Sequence, residues 1–234
     1  MKAEVLNKYV HPIHKEGYIF IIIALAATIL LYQVSDFFGH ISLVLSLFVI
    51  YFFRDPVRVV PQVNNLVVSG ADGYVIDITK VRLPAELDAI ETDEVYRIST
   101  FLSVLDVHVN RTPIEGIVKK IVYNPGKFLS AELNKASEEN ERNSLLIQTE
   151  DNREVAVVQI AGLIARRIKC IVKEDEKLEK GQRIGIIRFG SRVDVYLPNG
   201  IIPKVAIGQK VVGGETILAD INESEGREIL GKEI

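Results

Sequence analysis

A chain of 234 residues, a quarter of them charged and with a formal net charge of -3, has the length for one domain plus an attachment. It lacks the strong basic excess of a nucleic-acid binder. Its single cysteine, Cys170, excludes an intrachain disulfide and a CxxC metal site; it sits in an apolar strand pattern and reads as a buried structural thiol, consistent with a reducing compartment.

Lys2, Lys8 and Lys15 precede residues 18–34, which carry no charge and are rich in Ile, Leu and Ala. That length is at the short end for a transmembrane helix. Ser35-Asp36 interrupts, and residues 37–53 are apolar again apart from Gly39, His40 and two serines. Two apolar helices joined by a tight turn make a hairpin. A cleavable signal sequence is the rival, but a second apolar segment follows directly and no clear small-residue cleavage site precedes a mature domain. A hairpin buried in a soluble fold, or a second segment that only dips into the interface, stays open. Arg54 and Arg58 follow the second segment, while the link carries only Asp36 and His40. Counting Lys and Arg on these flanks puts both ends in the cytoplasm. The expected organisation is a membrane-anchoring helical hairpin over 1–55 and a second domain over 56–234.

From Leu66 the pattern changes to short alternating runs rich in Val and Ile, at 73–80, 116–123, 145–149, 155–160 and 183–187, separated by Gly, Pro, Asn and Asp. These are strands, so the expected class is α+β, mostly β. The acidic stretch 84–94 reads as an exposed loop, 130–143 as a short helix or loop, and 222–234 as a frayed helix. Two segments, Lys180-Gly181-Gln182-Arg183-Ile184-Gly185 and Ile207-Gly208-Gln209-Lys210-Val211-Val212-Gly213, echo each other; two hairpin turns explain that. Residues 204–219 look like part of a lipoyl or biotinyl carrier barrel, without a lysine centred in the expected hairpin tip, so the likeness concerns architecture alone.

Residues 184–198 read as two strands meeting at Phe189-Gly190-Ser191, with Asp194 and Pro198 following. Gly190 leaves a carbonyl without a neighbouring side chain, and Ser191 offers a hydroxyl to attack it from within the chain. That suits a self-cleaving bond; an ordinary Gly-Ser turn is the bland alternative. Serine needs a base to take its proton, and His is the usual one near neutral pH. His11, His14 and His40 lie in or beside the apolar segments, so in the second domain this chemistry falls to His108, which could equally be a hydrogen-bonded structural residue. A carboxylate best orients an imidazole. Asp72, in Ala71-Asp72-Gly73, and Asp106, two residues from His108 and so on its face of a strand, are the candidates; Asp72 could also be a plain Asp-Gly turn.

Taken in order, Phe52-Phe53-Arg54-Asp55-Pro56, Val68-Ser69-Gly70-Ala71-Asp72-Gly73-Tyr74-Val75, residues 101–113 around Asp106-Val107-His108-Val109-Asn110-Arg111-Thr112-Pro113, Gly162-Leu163-Ile164-Ala165-Arg166-Arg167-Ile168 and Phe189-Gly190-Ser191 resemble the short, membrane-associated form of phosphatidylserine decarboxylase proenzyme. The resemblance runs from about residue 52 to about residue 218. It implies self-cleavage between Gly190 and Ser191 into a large chain, 1–190, and a small chain, 191–234. In this scheme Ser191 forms an ester with Gly190, elimination leaves dehydroalanine, and hydrolysis gives ammonia and a covalent pyruvoyl group, with no metal. It implies an Asp72-His108-Ser191 relay, favouring Asp72 over Asp106, and decarboxylation of phosphatidylserine to phosphatidylethanolamine and carbon dioxide. The implied setting is the cell membrane, with the catalytic domain on the cytoplasmic side. Longer relatives carry a second His where this chain has Arg111, so His108 is expected to serve both maturation and turnover, and Arg111 to meet a lipid phosphate. Arg54, Arg58, Lys119 and Lys120 suit headgroup contacts and solvated charges equally. An archaetidylserine decarboxylase and a non-catalytic, membrane-anchored lipoyl-like adaptor are the alternatives. The residues leave a homo-oligomer open.

Overall fold

Residues 18–34 contain neither Gly nor Pro nor a charge, so nothing breaks a helix there. The computed structural model, which describes residues 11–87, 89–90, 93–127, 139–162, 167–188, 191–223, 229 and 231, forms helix α1 over Tyr18–Val34. Ser35 is extended and ends it. Helix α2, Asp36–Phe52, follows at once with Asp36 in its first turn, where a carboxylate complements the helix dipole. The pair is tied by hydroxyls: Thr28 Oγ1 lies 2.8 Å from Ser42 Oγ and 2.9 Å from Ser46 Oγ. Between apolar helices such groups must satisfy one another. The outward side chains are apolar, among them Ile22, Ile29, Leu30, Phe37 and Val44. The Lys15–Val34 segment is long and apolar enough to cross a bilayer, whereas α2 is shorter.

The chain divides into two compact units, Met1–Val57 and Arg58–Ile234. The second is built of strands. An eight-stranded antiparallel sheet runs in the order β12 (Lys210–Val211), β2 (Gly73–Val81), β3 (Val95–Leu102), β11 (Ser191–Tyr196), β7 (Glu154–Ala161), β6 (Arg142–Gln148), β5 (Gly116–Asn124), β9 (Lys177–Leu178). A three-stranded sheet joins β4 (Val109–Arg111), β10 (Arg183–Arg188) and β8 (Arg167–Cys170), and a two-stranded one joins β1 (Leu66–Val68) and β13 (Ile217–Asp220). The class is as expected: an apolar helix pair, then a β-rich unit.

Alternation sorts the large sheet into two faces. Ile98, Leu102, Leu145, Val157, Ala161, Val193 and Val195 turn inward, where Ile168, Ile184 and Ile187 of the small sheet and Val67 and Leu218 of the two-stranded sheet complete the main core. The outer face carries a lesser cluster of Leu146, Ala156, Val158, Ile160 and Tyr196, closed by Leu87.

Leu87 corrects the reading of 84–94 as exposed. A 3-10 turn, Ala85–Leu87, buries Leu87 to 1% exposure. Beside it, Glu86 accepts from Arg142 Nε at 2.9 Å and Asn124 Nδ2 at 3.1 Å. One apolar side chain and a carboxylate with partners are enough to fold the stretch down. Residues 130–138 lie outside the described residues; Asn140 and Glu141 are buried and 142–143 open β6 as strand. Most of 222–234 also lies outside the described residues. The sequence echo is a repeated turn: Gln182 Oε1 accepts from Glu179 N at 3.0 Å, and Gln209 Oε1 from Ala206 N at 3.1 Å, each ahead of a short strand.

Candidate active site

β10 ends at Arg188 and β11 begins at Ser191; Phe189 and Gly190 between them lie outside the described residues. Ser191 is held on both sides, opposite Leu102 of β3 and Ala161 of β7. It has the inward parity of Val193 and Val195. Its side chain is fully buried, and among the described residues Oγ has no hydrogen-bond partner. Such a buried orphan costs about 1–3 kcal/mol, so its persistence in a packed core asks for a chemical reason.

His108 directly precedes β4 and extends its ladder, its carbonyl accepting from Ile187 N at 3.3 Å. The imidazole is fully buried. Nδ1 lies 3.0 Å from the main-chain oxygen of Asp106. A carbonyl only accepts, so Nδ1 carries the proton, and in the neutral ring Nε2 keeps its lone pair. Asn110, two residues on, shares the face of His108 and is bonded to Gln159 of β7 at 2.8 Å. Gln159 lies opposite Val193, on the inward face.

Asp72 sits in the loop between β1 and β2. Its two oxygens accept from Arg58 Nη2 at 2.8 and 2.6 Å, and Oδ1 also accepts from Gly213 N at 2.9 Å. Burial pushes the Asp72 carboxyl above its ordinary value, with Arg58 and the Gly213 N–H opposing. The loop is tied to β4 through Arg111 N and Gly70 O, 2.9 Å apart. Gly73 abuts the Phe101 carbonyl, next to the Leu102 that faces Ser191, which puts the start of β2 two strand spacings, about 10 Å, from Ser191. Arg58, whose role the sequence left undecided, is thus the partner of Asp72. The Asp106 carboxylate accepts from Ser103 N and Oγ at 2.9 and 2.7 Å; its residue meets His108 through the main chain instead. Arg111, expected at a lipid phosphate, is 5% exposed and donates to Gly181 O at 2.9 Å.

Two features escaped the sequence. Arg192, fully buried, donates to both oxygens of Asp194 (2.6 and 3.0 Å) and to Ser99 Oγ at 2.7 Å. This ion pair locks the outer side of β11 one residue past Ser191. Only the spacing of two along a strand could have signalled it. The other is a line of buried amides through Asn110. A cleft of about 370 Å³ lined by Arg97, Arg142, Glu86, Val158 and Tyr196 belongs to the outer face and carries none of Ser191, His108 or Asp72. Among the described residues, no three His, Cys, Asp or Glu side chains are grouped as a metal would require.

A family profile described as phosphatidylserine decarboxylase matches residues 45–219. The chain is 50% identical over 227 residues to a phosphatidylserine decarboxylase proenzyme of Cereibacter sphaeroides, covering 97% of each chain. It is 51% identical over 220 residues to one of Ehrlichia chaffeensis, covering 94% of this chain and 96% of the relative. Against one of Paramagnetospirillum magneticum it is 48% identical over 222 residues, covering 94% and 92%. The chain belongs to the phosphatidylserine decarboxylase family.

Proposed function

We propose that this protein is a self-processing decarboxylase that converts phosphatidylserine to phosphatidylethanolamine and carbon dioxide, maturing by cleavage between Gly190 and Ser191. The observation that carries the reading is the fully buried hydroxyl of Ser191, which has no hydrogen-bond partner among the described residues, in a chain of this family.

His108 Nε2 takes the proton of Ser191 Oγ while Nδ1 stays anchored on the Asp106 carbonyl. Oγ adds to the carbonyl of residue 190, the C–N bond breaks, and the amide nitrogen takes a proton, leaving an ester. Loss of the Ser191 α-proton then expels the carboxylate of residue 190 and parts the chain. Asp72, held by Arg58 at 2.6 Å, faces the start of β2 beside this strand pair.

The residues fit a pyruvoyl group at position 191. The orphaned oxygen marks a position built for chemistry rather than packing, and β3 and β7 grip the main chain on both sides. The group would supply a ketone to capture the serine amine of the lipid and an adjacent carbonyl to withdraw electrons as the carboxylate leaves. Around it, the main core packs on the inner face, and His108 supplies or removes the proton. The exposed apolar side chains of the helix pair support anchoring at a membrane, with Lys and Arg on the flanks favouring a cytoplasmic catalytic unit.

The test is release of labelled carbon dioxide from carboxyl-labelled phosphatidylserine in mixed vesicles. The purified protein is expected to release it with matching formation of phosphatidylethanolamine. A folded, cleaved preparation that releases none contradicts the proposed substrate.

A further inference from the structure

Cleavage between Gly190 and Ser191 would make residue 191 the first of the small chain, at the open end of β11. Chain ends fray unless something ties them down. Beyond its ladder with Leu102 and Ala161, that end finds its first apolar anchor on the inner face only at Val193, which packs in the main core with Val195. A pyruvoyl end would carry no ammonium to pair with a carboxylate. Arg192, whose amide nitrogen is bonded to the carbonyl carbon of residue 191, is the first side chain able to grip.

The grip is on the outer face. Arg192, Asp194 and Ser99 are fully buried. Arg192 donates through Nε to Asp194 Oδ1 at 2.6 Å, and through Nη2 to Asp194 Oδ2 at 3.0 Å and Ser99 Oγ at 2.7 Å. Arg97 brings its Nε to 3.9 Å from Asp194 Oδ2 and donates Nη2 to Asp77 Oδ2 of β2 at 2.7 Å. Two guanidiniums and two carboxylates thus run as one chain of contacts across β11, β3 and β2. Its members straddle the cut: Arg192 and Asp194 would belong to the small chain, and Ser99, Arg97 and Asp77 to the large one. None of these contacts passes through the severed bond. Packing alone does not ask for charges here. Opposite Arg192 and Asp194 on β7 stand Ile160 and Val158, both in the apolar outer cluster, and a buried ion pair often stabilises no better than apolar side chains of similar volume. What the pair adds is direction, because a forked bond fixes the side chain in one geometry.

We propose that Arg192 is a positioning residue of the mature enzyme: locked to Asp194 and Ser99, it holds the newly made end of β11 in register after the chain is cut, so that the reactive group at position 191 stays in place during turnover. This rests on the self-processing reading above. The precursor has a restraint that the mature protein lacks, the covalent link from β10 through residues 189 and 190. The network is therefore dispensable before cleavage and needed after it.

The test uses two variants of the full chain. The triple Ser99→Ala/Arg192→Leu/Asp194→Leu removes the contacts of Arg192 and leaves Arg97 paired with Asp77. Arg192→Lys keeps the charge without the fork and keeps the question answerable where the triple fails to fold. Each is made in the cleavable chain and in a Ser191→Ala background that stays whole. Deuterium exchange of the peptide covering β11 is followed by mass spectrometry in detergent, and kcat and KM are measured with phosphatidylserine in mixed micelles. Both variants are expected to mature as wild type does. Once cleaved, the triple should exchange the first amides of β11 about 10-fold faster than cleaved wild type. It should lose about 10-fold in kcat with KM unchanged, and Arg192→Lys should show the same changes, smaller. In the Ser191→Ala background, exchange should match that of Ser191→Ala alone. Equal exchange in the cleaved proteins, an unchanged kcat, or a folded variant that fails to mature overturns the proposal. So does exchange that speeds equally in the uncleaved background, the mark of ordinary support for the fold. A wild type that itself stays whole refutes the self-processing reading instead.

Discussion

At the scale of single residues, the site pairs groups that local sequence could nominate with groups it could not. The sequence nominates Ser191 and His108 because they are candidate types in telling places: a serine after glycine between two strands, and the one histidine beyond the apolar segments. It does not nominate Arg58 and Gln159, because their partners Asp72 and Asn110 lie 14 and 49 residues away and only tertiary folding brings them together. The Asp72–Arg58 pair has a measurable consequence. Burial raises the Asp72 carboxyl above its ordinary value of 3.8, against the opposing pull of Arg58 and Gly213. The folded chain therefore holds this proton more tightly than the unfolded one. The resulting stability is full below the ordinary value and is lost as pH rises through the raised one. Melting of Ser191→Ala should be compared with that of Ser191→Ala/Asp72→Asn from acid to neutral pH. The difference should shift in favour of the Asn variant as pH rises; a flat difference would mean that burial does not perturb Asp72.

Among the elements, those with strong periodicity were read well and the short ones were not. Residues 18–34 form a helix with the expected bounds, and the runs at 73–80, 116–123 and 155–160 became β2, β5 and β7 within a residue or so. The pieces β4, β8, β9 and β12 span four residues or fewer, too few for alternation to show, and they exist because neighbouring strands offer hydrogen bonds. The start of β2 depends on one residue. Gly73 has φ +153, and a Cβ there would lie 1.9 Å from the Phe101 carbonyl oxygen. Gly73→Ala should therefore prise β2 from β3 beside Asp72 and destabilise the precursor by about 3 kcal/mol. Denaturant unfolding of Ser191→Ala with and without this change measures it; an unchanged midpoint would contradict the packing described.

For the molecule as a whole, two compact units divide the labour. The helix pair exposes apolar side chains that water would penalise, while the β-rich unit keeps its main core and Ser191 inside. In the sequence the hydrophobic period changes near residue 66, since continuous apolar runs and alternating ones need different solvents on their outer faces. How three sheets enclose Ser191 was not visible, because sheet order is a property of pairing rather than of any one segment. The account stands on the claim that the buried serine cuts its own chain. Intact-mass spectrometry of purified wild type beside Ser191→Ala tests it directly. The account predicts that wild type divides after Gly190, with a small fragment blocked at its first residue by a pyruvoyl group, and that the variant stays whole. A folded wild type of undivided mass, with Ser191 unmodified, would contradict it.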